Sequence, residues 1–190
     1  MFMFKVIVGS IVGGLIATVW GFFSWGVFSW HDVAINTFDN QKHVAQVIQD
    51  HATVDGVYII PSFRFNSKEM RQKKSCQSAG MPFVYAQVKK EGSTCSSYTH
   101  ICSFLSQCVV ACFLSILLLK TMMESKYGAR LFFVAMIGLI IGVGGVLPNW
   151  IWFGSGYRFS LIMIIDVFIQ WFLVGLFLAK FIHPKSIKNA

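Results

Sequence analysis

A single acid interrupts the most apolar stretch of the chain. Residues 158–183 are almost wholly hydrophobic, and Asp166 is their only carboxyl group. At about 1.5 Å per residue, such a run can cross a hydrocarbon core of roughly 30 Å. An ionisable side chain inside a span is costly, so it marks either a function or a structural polar contact. Gln170 follows Asp166 by one helical turn and shares its face. Asp166 falls about 12 Å along the run from Arg158. Counting inward to the same depth on the other apolar segments brings in Trp20 and Ser24 on the first, and Ser106 and Gln107 on the second. These six residues form the candidate intramembrane polar site. A carboxyl group in such a layer can accept hydrogen bonds or take up a proton.

That layer supports two kinds of chemistry. One is a proton- or cation-responsive site, or a polar cavity for a ligand. The other is a clasp between helices. The sequence favours the clasp, because a transporter usually needs more polar groups and often internal repeats, and the two halves show no convincing repeat.

The remaining reactive side chains point less far. Cys108 and Cys112 lie one turn apart on a helix, but no His or third Cys stands beside them at helical spacing, so they read as small packing residues. The five cysteines make no CxxC pair, which removes the simplest dithiol and zinc signatures. His31 follows Trp30 at a membrane edge and reads as an interfacial anchor. No phosphate-binding glycine loop or nucleophile–base motif is present. The expectation is therefore a protein without catalytic residues, metal ligands or cofactor.

The elements that must hold the polar layer are four apolar segments, at about 6–30, 100–122, 131–147 and 158–182. With 55% hydrophobic residues in a chain of 190, the composition is that of an integral membrane protein. Three divisions follow: a first transmembrane helix at 1–30, a polar region at 31–98, and three further helices at 99–190. The first segment is long, rich in Trp and lacks a small-residue cleavage site, so it reads as a retained anchor. Gly9, Gly13 and Gly14 on the first segment, and Gly138, Gly142 and Gly145 on the third, are spaced for close helix packing. Pro148, Asn149 and Trp150 are expected to end the third helix.

Within the polar region, Asp39 is placed to cap a helix running from Asn40 to about His51, with Val44, Val47 and Ile48 on its apolar face. Val57 to Ile60 and Phe83 to Val88 read as strands. The basic stretch 64–77 reads as a solvated loop. The fold class is thus an all-α membrane protein of four transmembrane helices, with a small α+β insertion between the first and second. The insertion buries too little for an independent domain and is expected to rest on the membrane helices.

The net charge of +8 does not signal nucleic-acid binding, because no basic face or recognised module carries it. Lys5, Lys120, Lys126, Arg130, Lys180, Lys185 and Lys188 gather at one set of helix ends, against Arg158 alone in the short loop opposite. The basic side is normally cytoplasmic, and long loops translocate largely regardless of charge. Both termini are expected inside, and residues 31–98 in the periplasm or outside the cell. An oxidising compartment permits a Cys76–Cys95 disulfide, for which the sequence supplies no geometry.

Three patches together resemble a known group. They are Trp20-Gly21 through Ser24-Trp25 to Trp30-His31, Phe38 through Gly56-Val57-Tyr58 to Pro61, and Leu147-Pro148-Asn149-Trp150 through Asp166 and Trp171 to Gly175 and Ala179-Lys180. The set is similar to an uncharacterised family of small four-helix proteins of the bacterial inner membrane. Where that group often carries Pro before the Trp-His pair, this chain has Ser29. The resemblance implies architecture and location but no activity. The expected role is a non-enzymatic membrane subunit or interaction partner, in contact with the bilayer and with other membrane proteins or a second copy. The alternative is a small transporter or proton- or cation-responsive protein centred on Asp166.

Overall fold

The computed structural model describes residues 2–61, 82–92, 96–121 and 126–182. Five α-helices lie among them: α1 (Phe2–Gly26), α2 (Gln41–His51), α3 (Ser97–Lys120), α4 (Tyr127–Phe153) and α5 (Tyr157–Phe181). Two strands, β1 (Gly56–Ile60) and β2 (Val84–Val88), pair antiparallel with Tyr58 opposite Ala86. The chain forms two compact units, one of residues 1–36 with 95–190, the other of residues 37–94.

In the first unit, α1, α3, α4 and α5 are each long and apolar enough to cross a membrane. They run 25, 24, 27 and 25 residues, against the ~20 that a bilayer core requires. Their spatial order differs from their chain order. α1 packs against α3 on one side and α5 on the other, and α5 packs against α4. The first and last helices therefore occupy the middle of the array. Ala17, Leu114, Leu118, Val134, Trp171, Val174 and Leu178 bring all four helices into one buried cluster. Ile7, Ile11, Leu15 and Val19 form an exposed apolar stripe on α1 at helical intervals, as a lipid-facing surface would.

Glycine sets the close approaches. A Cβ on Gly13 would stand 2.9 Å from Ala111 Cβ, and one on Gly14 would stand 2.9 Å from the Cys108 backbone nitrogen. The α1–α3 contact thus depends on bare backbone, and Cys108 serves as a small packing residue there. On α4, a Cβ at Gly138 would come within 2.8 Å of Trp171 Cβ. A Cβ at Gly142 would lie 3.2 Å from the Ile164 carbonyl oxygen, whereas Gly145 has nothing within 4 Å. Only two of the three glycines singled out on this helix therefore serve packing.

α4 runs through Pro148 to Phe153, beyond the expected stop at Leu147. A helical proline removes one hydrogen bond and crowds the carbonyl four residues back. Here that carbonyl belongs to Gly144, and the Asn149 side-chain amide donates to the neighbouring Gly145 carbonyl at 3.1 Å. The helix ends instead at Gly154, whose left-handed φ of 68° supplies the usual glycine stop.

The second unit is thinly packed. Asn40, rather than Asp39, caps α2, its side chain accepting from the His43 N–H. Asp55 accepts from the Lys90 N–H and joins the two strands at their open end. Ala52 is its one buried apolar residue among those described, while Phe38, Val47, Ile48, Val54, Val57 and Phe83 are exposed.

Candidate polar site between the first and last helices

Asp166 is 5% exposed, on the face of α5 that meets α1. Its Oδ1 accepts two hydrogen bonds of 2.7 Å, one from Trp20 Nε1–H and one from the Ser24 hydroxyl. Trp20 and Ser24 are one helical turn apart, so α1 presents both donors to the same oxygen. The Trp20 bond is at the short end for N–H···O, and the Ser24 bond has the usual O–H···O length.

The chain beyond α1 turns back to complete the site. The last carbonyls of a helix lack partners within it and need donors from elsewhere. The Ser24 carbonyl accepts from Trp30 Nε1 at 3.1 Å and faces His31 Nδ1 at 3.2 Å. Trp30 Nε1 also lies 3.2 Å from the Ser24 hydroxyl. Two side chains just past the helix thus cap it. His31 is held further by a stacked contact with Trp25, ring centroids 3.8 Å apart. The result is a 2% exposed imidazole whose Nε2 stands 3.6 Å from Asp166 Oδ2. That nitrogen is buried without a hydrogen-bond partner.

The expected polar layer separates into parts. Asp166, Trp20 and Ser24 come together. Gln107 and Gln170 form a second contact, the Gln170 amide donating to Gln107 Oε1 at 2.9 Å, and this bond ties α3 to α5. Ser106 joins neither. Its hydroxyl is exposed and donates to the Ser103 carbonyl of its own helix at 2.7 Å, the local back-bond that a serine in a helix readily makes. Cys76 and Cys95 lie outside the described residues, as does the basic stretch 64–77.

His31 and Trp30 belong to the site although the sequence reading placed them in the interface. The available signal was spacing: Trp20, Ser24 and His31 fall at i, i+4 and i+11, one helical face if the turn is extended. A second buried charge was also missed. Arg130, one of the basic residues gathered at the helix ends, is 2% exposed. Its Nε–H donates to the Ala179 carbonyl in the last turn of α5 at 2.8 Å. The Tyr127 hydroxyl reaches the Leu176 carbonyl at 3.3 Å. A cation at the carbonyl end of a helix also complements its dipole.

Among the described residues, no group of three His, Cys, Asp or Glu side chains converges as a metal site would require. Compared with protein-family models, curated proteins and solved structures, the chain gives no match.

Proposed function

We propose that this chain is a non-enzymatic subunit or interaction partner within a membrane assembly, engaging other proteins through residues 37–94. The observation that carries the reading is the apolar surface of that unit. Phe38, Val54 and Val57 are each more than half exposed, and exposed apolar side chains of this size supply the surface that an interaction site uses. The positive-inside bias supports cytoplasmic termini and, with them, a position for this unit on the periplasmic or outer face of a bacterial inner membrane. Affinity purification of the intact protein in mild detergent tests the reading. It predicts a co-purifying membrane or periplasmic protein that is lost when Phe38 and Val54 are both changed to Ser. A clean monomer would contradict it.

A second reading, a proton- or cation-responsive protein, gains from one observation. His31 Nε2 faces Asp166 with no hydrogen-bond partner of its own. In that reading the clasp between α1 and α5 is the responsive element.

A further inference from the structure

We infer that the gap between His31 Nε2 and Asp166 Oδ2 is a binding site for a single proton, and that this proton holds the chain after α1 against α5. The inference rests on the second reading above and gives that site its ligand.

Donors and acceptors at the site fix where a proton can sit. A carbonyl oxygen can only accept, so the 3.2 Å contact with the Ser24 carbonyl requires a proton on His31 Nδ1. In a neutral imidazole the other nitrogen, Nε2, is then bare. Across from it is Asp166 Oδ2. The other carboxyl oxygen, Oδ1, is already committed to Trp20 and Ser24 as an acceptor. Two lone pairs would therefore face one another at 3.6 Å inside a buried site. One proton resolves the conflict. It resides on Nε2, giving imidazolium and carboxylate, or on Oδ2, giving imidazole and acid. Either way it belongs to the pair. A bridging water would spread the two atoms to ~4.5 Å, two hydrogen bonds at a tetrahedral angle, so the gap is too short to seat one in line.

Among the described residues, no ion pair other than that with His31 is made by Asp166. The neighbouring groups of α1 are Trp20, Ser24 and Trp25, none of which titrates in the ordinary range. Asp32, next to His31 on the short 3-10 turn Asp32–Ala34, is exposed. Arg158, two turns before Asp166 on α5, is exposed with its guanidinium 5.8 Å from the Tyr157 ring. On α3, Gln107 is bonded to Gln170. His100 is exposed at the start of α3, and Lys120 at its far end. On α4, Arg130 is at the opposite end of the array, bonded to Ala179.

The sign follows. With the proton bound, His31 bridges the Ser24 carbonyl and Asp166. When it is withdrawn at higher pH, the bare nitrogen faces a carboxylate, and the Trp30–His31 segment is repelled from α5. Asp166→Asn separates charge from geometry. Its carbonyl oxygen can still accept from Trp20 and Ser24, and its amide can donate to His31 Nε2 without any exchangeable proton between them.

The test is a pH titration of the full-length protein in zwitterionic nanodiscs with 15N-labelled histidine, repeated with added Zn2+ or Na+. The chain has five histidines, and His31→Phe identifies the resonances. The expected result is a one-proton transition at His31 Nε2, with Nδ1 protonated throughout, and its loss in Asp166→Asn. Finding the proton on Nε2 with Nδ1 bare would overturn the inference. So would a transition unchanged in Asp166→Asn. A wild-type protein that ignores pH but shows a saturable shift with either cation would overturn the proton site while sparing the cation-responsive reading. Silence to all three would end both.

Discussion

α5 is held near its two ends by opposite means. Toward its start, the Asp166 carboxylate gathers side chains from α1 and from the turn beyond it: Trp20, Ser24 and His31. At its finish, the Arg130 guanidinium of α4 bonds a backbone carbonyl, that of Ala179. Each charge is about equally buried, yet the contacts differ in kind. A backbone carbonyl persists whatever the side chains are, and Arg is protonated at any accessible pH. The Arg130 contact is therefore a fixed peg. The Asp166 contact depends on three particular side chains, one of which, His31, is an ionisable imidazole. The difference locates the adjustable contact at the end where α1 leaves the array.

Substitution should expose that difference. Asp166→Ala leaves the Trp20 N–H, the Ser24 hydroxyl and His31 without their common partner. Stripping buried donors in this way costs about 3 kcal/mol, read as a fall in unfolding free energy in mixed micelles. Arg130→Met preserves most of the volume and removes the charge-assisted bond to the Ala179 carbonyl, with an expected loss of about 1–2 kcal/mol. If Arg130→Met proved the more damaging of the two, the contrast between peg and adjustable contact would fail. The Gln107–Gln170 bond sharpens the comparison from below, as an uncharged link between α3 and α5. Gln170→Leu alone should cost about 0.6–1 kcal/mol. Adding Gln107→Leu should recover part of it, since two apolar partners leave nothing unsatisfied.

Asp166 was legible because a charge in an apolar span contradicts its surroundings, and depth counting was enough to find Trp20 and Ser24. Counting failed for Ser106 because depth does not specify which face of α3 a residue occupies. His31 and Arg130 escaped for a shared reason. A polar residue next to a helix end looks like a solvated anchor when the chain is read as a line. Both are buried because they satisfy end-of-helix carbonyls, and backbone acceptors leave no trace in residue types. The glycines similarly showed that close approaches exist, but not their partners. That α1 separates α3 from most of α5 came only from the contacts themselves. Pro148 misled because a proline can be carried within a helix at the cost of one hydrogen bond, and here the stop is supplied six residues later by Gly154.

The central claim is that Asp166 binds α1 to α5, and a double-mutant cycle between Trp20→Phe and Asp166→Ala addresses it most directly. Trp20→Phe keeps a ring but deletes the N–H that reaches Oδ1 at 2.7 Å. Measured by reversible unfolding in micelles, the two changes should be coupled by about 1 kcal/mol, because the second has little left to break once the first is made. Strict additivity, within about 0.3 kcal/mol, would mean that the carboxylate and the indole do not act on one another and that the clasp does not exist.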